Sequence, residues 1–356
     1  MDAKACRLRF AGHHCTVNIK AITQGLKKKA TMNIDMIHAA ARRLQGWARR
    51  TPLLTSPFLD ELAGRRILVK PECLQHTGSF KYRGGYSAIS ALSEDKRKFG
   101  VLAFSSGNHA QGVAMAAQQH GVPAVIIMPH DAPAIKIANT KALGAEVIGY
   151  DRDREDRDEI GQRLAKERGM TLIKPFDEPE VIAGQGTTGL EIAEQAKELG
   201  VEQADVIVCC GGGGLTSGIA LALAAHAPKM TVFPAEPEGF DDTARSLAVG
   251  RHVSNDLSSG SICDAIVTPT PGQLTFPILK AHCPKGFVVS EQEVLKAMAL
   301  AFLRLKLVLE PGGAVALATA LFHPQEISGD TVIVVASGGN VDHDVFTRAL
   351  DTMSGV

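Results

Sequence analysis

From Asp35 onward, short runs of apolar and β-branched residues alternate with longer stretches in which apolar positions recur every three to four residues. Runs of the first kind lie at Ile67–Lys70, Val101–Phe104, Ala124–Met128, Glu146–Gly149, Asp205–Cys209, Thr231–Pro234 and Val332–Ala336. Their length and composition predict strands. The stretches Asn108–His120, Lys136–Leu143, Glu180–Leu199 and Glu291–Lys306 have helical spacing and suit crossovers between parallel strands. Asp205–Cys209 is apolar almost throughout, as expected of a strand buried on both faces. The pattern predicts an α/β protein with helices on both faces of its sheet. Because no repeat or proline-rich linker divides the chain, a domain boundary must be carried by two chain crossings.

In open α/β sheets, ligands sit where strands end and glycine-rich turns lead into helices. Three such turns follow strand candidates: Ser105–His109, Gly211–Gly214 and Ser337–Asn340. Gly211, Gly212, Gly213 and Gly214 open a helix near Leu215, with Thr216 and Ser217 in its first turn. Backbone N–H groups freed of side chains, next to a helix N-terminus, favour a phosphate. The segment is not a P-loop, since no Lys–Ser/Thr pair follows, and no GxGxxG opens a first βαβ unit. A phosphorylated small cofactor therefore fits better than a nucleotide.

Composition narrows the partners. The chain has 356 residues, zero formal net charge and only 5% aromatic residues, so the basic, stacking-rich surface of a nucleic-acid binder is missing. No run approaches the ~18 apolar residues of a membrane span. Seven cysteines without a CxxC spacing argue against a disulfide framework or zinc knot and suit reduced thiols in a cytoplasmic protein. The pair His13–His14 lacks metal-site spacing. Arg42, Arg43, Arg49 and Arg50 read as the solvated face of an early helix. Residues 1–31, basic apart from Asp2, read as an upstream start or poorly ordered extension, with a targeting peptide as the alternative.

One segment supplies what the phosphate turn lacks. Ser79–Phe80–Lys81–Tyr82–Arg83–Gly84 resembles the Ser-Phe-Lys-x-Arg-Gly motif of fold type II pyridoxal-phosphate (PLP) enzymes, the group of serine/threonine dehydratases and serine racemases. The resemblance extends through Val181–Thr187 and Ser337–Asp342 and spans about residues 36 to 345. It implies two open, twisted, mostly parallel sheets: a large domain (36–99 and 178–356) and a small one (100–177), after an extension over 1–35. It further implies that Lys81 joins covalently to PLP and, once displaced by the substrate amine, removes the Cα proton. Phe80 would pack against the cofactor ring, Asn108 would bond its 3-oxygen, and Gly211–Gly214 with Leu215 would hold the phosphate. Ser105, Ser106, Asn108 and His109 would bind the substrate carboxylate. Ser337 would face the pyridine nitrogen. A hydroxyl there leaves that nitrogen neutral and favours elimination over a long-lived carbanion.

The same resemblance implies a divalent-cation site, Mg²⁺ or else Mn²⁺ or Ca²⁺, at Glu236, the Phe240 carbonyl and Asp242; a solvated acidic helix start is the competing reading. A homodimer or homotetramer is implied by analogy alone.

The implied reaction is loss of water from L-threonine or L-serine. Ser106, a serine where many bacterial threonine dehydratases have alanine, leaves racemisation open. Phe176–Asp177–Glu178–Pro179 resembles the dehydratase segment Phe-Asp-x-Pro, whereas mammalian-type racemases have asparagine at position 176. Cys263–Asp264–Ala265–Ile266 replaces a common Ala-Asp-Gly, which keeps a β-branched or longer hydroxyamino acid open as substrate; the family also includes dehydratases of 3-hydroxyaspartate and phenylserine, which stand as alternatives. With no extension after residue 356, a fused effector domain is not expected, and a catabolic role fits.

Overall fold

A computed structural model describes residues 32–356 except 106, 133, 152–153, 257–258 and 354–356, with backbone only at 135 and 158. Residues 33–356 form one compact unit. Its strands make two sheets. The larger has the order β1-β2-β10-β7-β8-β9, from Leu54–Thr55, Arg66–Pro71, Thr331–Ala336, Ala204–Cys209, Met230–Pro237 and Phe287–Val289. The smaller has the order β5-β4-β3-β6, from Glu146–Tyr150, Ala124–Pro129, Val101–Phe104 and Thr171–Leu172. Every pairing is parallel except β1 with β2.

All seven expected strands are present. The short strands β1, β6 and β9 were not expected, because two or three residues show no period. One consequence reaches the site: β8 runs on to Pro237 because Ala235–Pro237 pair with β9, so Glu236 belongs to a strand rather than following one. The early helix ends at Leu44, where Asn33 caps its start. Arg49 and Arg50 therefore lie beyond it, and Arg43 is half-buried against Ser87, Ser90 and Glu180. These arginines are not one solvated face.

The lysine-bearing helix Lys81–Ala91 packs between the helices Asn108–His120 and Pro179–Glu198. Close approach is set by glycine. A Cβ on Gly112 would lie 2.9 Å from the Lys81 carbonyl carbon, and one on Gly85 would lie 3.1 Å from the Gly112 oxygen. Larger residues would push Lys81 out of position. Among the described residues, no helix is long and apolar enough to cross a membrane.

Candidate active site

The turns that follow β2, β3, β7 and β10 meet at one end of the sheets. Three backbone contacts hold the lysine-bearing loop to the last turn: Ser79 bridges Gly338, Phe80 N–H donates to the Ser337 carbonyl (3.2 Å), and Gly339 N–H donates to Gly78 (2.9 Å). Just upstream, Thr77 has φ 59°. A β-branched residue in the left-handed region costs of order 1–3 kcal/mol and persists only where its surroundings hold it. Here the Asn340 side chain donates to the Thr77 carbonyl at 2.8 Å.

Lys81 starts its helix and lines a cavity with Phe80, Phe176, Gln185 and the tetraglycine turn. Its Nζ donates to the Pro175 carbonyl at 3.0 Å and lies 5.2 Å from the centre of the Phe80 ring. Desolvation lowers its ammonium pKa to about 8, while the Glu310 carboxylate pulls the other way. An amine so placed is partly neutral near physiological pH.

The opposite wall is the tetraglycine turn. Gly213 has φ 88°, and a Cβ there would meet the Leu279 side chain at 2.8 Å. Side chains are excluded at the other three as well. A Cβ on Gly211 would lie 2.8 Å from the Ile266 oxygen, one on Gly214 would lie 2.6 Å from Gln185 Oε1, and one on Gly212 would enter the Phe176 ring. The helix Gly214–His226 begins directly from this cradle. Beside it, both amide atoms of Gln185 and the Thr216 hydroxyl are buried without a hydrogen-bond partner. Buried polar atoms without partners are uncommon and point to a missing one. An amine facing a glycine cradle with spare polar atoms fits a small phosphorylated aldehyde.

Between these walls runs a side-chain chain. Asn340 donates to Asn108 Oδ1 (2.6 Å), and Asn108 Nδ2 donates to Glu310 Oε1 (2.6 Å). The two contacts fix the orientation of the Asn108 amide, leaving one N–H uncommitted. Burial raises the Glu310 pKa to about 7, opposed by the bond from Asn108. His109 Nε2–H donates to the Ile173 carbonyl (2.9 Å), and burial with the nearby Lys81 charge lowers its pKa to about 3, so it is a neutral donor. Ser105 Oγ accepts from Gly107 N–H (3.1 Å). Ser337 is buried and takes part in the staple to Phe80. Ser106, like the extension 1–31, lies outside the described residues.

A family profile described as pyridoxal-phosphate dependent enzyme matches residues 44–338. The chain belongs to this family. Its fold is fold type II, and it is a PLP-dependent lyase by likeness to the ammonia-lyases and racemases of the group. It is 44% identical over 311 residues to an L-threo-3-hydroxyaspartate ammonia-lyase of Pseudomonas sp., covering 87% of this chain and 96% of the relative. It is 39% identical over 316 residues to a serine racemase of Schizosaccharomyces pombe, covering 89% and 96%. Among solved structures, a T.th. threonine deaminase superposes with a TM-score of 0.82 at 46% identity, covering 87% of this chain and 99% of that one.

The residues expected to bind the cation lie apart from this cavity. Glu236 is fully buried and accepts from the N–H groups of Thr243 (3.0 Å) and Ala244 (2.8 Å), at the start of the helix Asp242–Val249. Asp242 Oδ1 accepts from Asn255 (2.7 Å), and its Oδ2 is buried without a partner. Burial, and for Glu236 the neighbouring Asp242 charge, raise both carboxyl pKa values. Two facing acids with an unused oxygen are compatible with a cation. Among the described residues no three His, Cys, Asp or Glu side chains converge, so the Phe240 carbonyl and water would have to complete its shell.

Proposed function

We propose that this protein is a PLP-dependent ammonia-lyase that removes water from L-threonine and L-serine, yielding 2-oxobutanoate or pyruvate and ammonia. The observation that carries the reading is the Lys81 amine, with a pKa near 8, across one cavity from the tetraglycine cradle. When bound, PLP would supply the electron sink that acidifies the substrate Cα. The residues divide the remaining work. Gly211–Gly214 and Leu215 hold the phosphate with backbone N–H groups at a helix start. Phe80 packs against the ring, the uncommitted N–H of Asn108 serves its 3-oxygen, and Ser337 faces its nitrogen with a hydroxyl. Main-chain N–H groups at Ser105, Ser106, Asn108 and His109 hold the substrate carboxylate. Lys81, as the free amine, takes the Cα proton. Glu236, the Phe240 carbonyl and Asp242 hold a divalent cation, Mg²⁺ by its preference for oxygen ligands.

Racemisation of serine in the same site is a second reading, favoured by Ser106 and by the likeness to the S. pombe racemase. The reading is tested by borohydride reduction followed by peptide mapping, with the cofactor mass expected on Lys81. Lys81→Ala should lower 2-oxo acid formation from L-threonine by about 10³-fold or more. Cofactor fixed to a different lysine, or wild-type turnover at the rate of a protein-free blank, would refute it. Chiral chromatography of the same L-serine reactions decides the racemase reading.

A further inference from the structure

We propose that Gln185 is a ligand of the cofactor phosphate, its side-chain amide donating a hydrogen bond to a phosphate oxygen at the end of the tetraglycine cradle. The assignment rests on the reading of Lys81 as the lysine that carries PLP. It adds one side-chain donor to a cradle otherwise made of main-chain N–H groups.

The run Gly184–Gln185–Gly186 carries this amide to the junction of two helices. A Cβ on Gly184 would collide with the Arg83 carbonyl in the lysine-bearing helix, and one on Gly186 would lie 2.9 Å from the Gly218 oxygen in the helix that leaves the cradle. The helix Pro179–Glu198 can touch both neighbours at once only because these two positions lack side chains. Gln185, between them, lines the cavity together with Lys81 and the four glycines. Its Nε2 lies 3.1 Å from where a Cβ on Gly84 would stand, and its Oε1 lies 2.6 Å from where one on Gly214 would stand. The amide therefore reaches from the lysine helix to the first residue of the cradle helix.

Gln185 is 1% exposed, and neither of its amide atoms has a hydrogen-bond partner. A buried amide with both ends idle is costly, and an apolar side chain of the same length would fill the space without that cost. The amide is explained by a group that arrives later.

Its position names the group. Gly214 opens the helix Gly214–His226, whose first N–H groups have no acceptor within the helix, so the place beside it suits an anion. With neither end committed, nothing fixes which way round the amide lies, and an anion selects the orientation that turns Nε2–H toward it. On the proposed function the substrate carboxylate is held at the turn 105–109, which leaves the anion beside Gly214 to the cofactor.

The test compares binding of PLP and of pyridoxal, which has the aldehyde but no phosphate, to the apo-protein by visible absorbance. Gln185→Met keeps the length of the side chain and removes the amide. It should weaken PLP binding by about tenfold or more, as expected for one hydrogen bond to a charged group, and leave pyridoxal within about twofold of wild type. Gln185→Glu sets a carboxylate against the phosphate and should weaken PLP further, again with little effect on pyridoxal. The apo form of Gln185→Met should melt at the wild-type temperature or above it, because the substitution removes a buried amide that lacked a partner. Equal losses for the two aldehydes in Gln185→Met, with a lower melting temperature, would make the glutamine structural and overturn the proposal. PLP affinity within about twofold of wild type in both variants would overturn it too, while sparing the reading of Lys81. Cofactor fixed by borohydride to a lysine other than Lys81 would overturn both.

Discussion

Two groups of buried charges in this molecule have opposite balance. Under the lysine-bearing helix, Arg83 meets Glu72 at 2.7 Å and Glu191 at 2.7 Å, and Lys70 meets Glu191 at 2.6 Å. Two cations face two anions, and Thr51 and Gln195 occupy further donors and acceptors. Attraction to Arg83 keeps Glu72 below its ordinary pKa even against the cost of burial. At the end of β8, by contrast, Glu236 and Asp242 face each other, one oxygen lacks a partner, and both carboxyl pKa values are raised. The balanced group is scaffold: it ties the start of the Lys81 helix to β2 and to Pro179–Glu198. The unbalanced group leaves one buried acceptor without a donor, the deficit that the proposed cation would make good. Lys81 and Glu310 are a third case, opposite charges whose pKa values converge near neutrality.

The comparison can be broken most severely at Arg83. Arg83→Met should strand Glu72 and Glu191 and lower stability by about 3–5 kcal/mol in urea unfolding. A loss below about 1 kcal/mol would mean that the four charges are not interdependent. At the unbalanced group, millimolar Mg²⁺ should raise wild-type stability by about 1–2 kcal/mol through binding to the folded state alone, and Glu236→Gln should abolish the gain. Thermal scans with and without chelator measure both. At Lys81 and Glu310, cofactor uptake by the apo-protein should rise with pH through about 8, as the Lys81 ammonium loses its proton. The Glu310 carboxylate stabilises that ammonium, so Glu310→Gln should move the midpoint to lower pH, as read by visible absorbance; a shift upward would contradict the electrostatic link. The smallest effect is expected at the exposed pair Arg50–Glu198, whose side chains are 50% and 62% exposed. Arg50→Ala should cost less than about 1 kcal/mol.

Much of this was legible in the chain because it is local. Strands announce themselves by composition, the tetraglycine turn by the absence of side chains, and Lys81 by its immediate neighbours. The partners that make those pieces work are distant in sequence. Glu310, before Pro311, reads only as a helix start, yet it meets Asn108 from 202 residues away. Gln185 falls in a recognised motif, but its unpaired amide appears only once the helix is packed against the glycine turn. Arg43 failed as a surface residue for the same reason, since its partners Ser87 and Glu180 come from other helices. Glu236 was placed beyond its strand because β9, three residues long, supplies the pairing that extends β8.

The staple between residues 78–80 and 337–339 has a bearing on how the enzyme matures. The loop preceding Lys81 is framed by a strand that leaves the ribosome some 250 residues later. A nascent or truncated chain ending before β10 carries the reactive amine without the frame that aims it. On the proposed reading, vitamin capture at Lys81 would wait for residues 331–340 to be synthesised, and the coloured protein in a cell extract would report only on polypeptides that have reached that point.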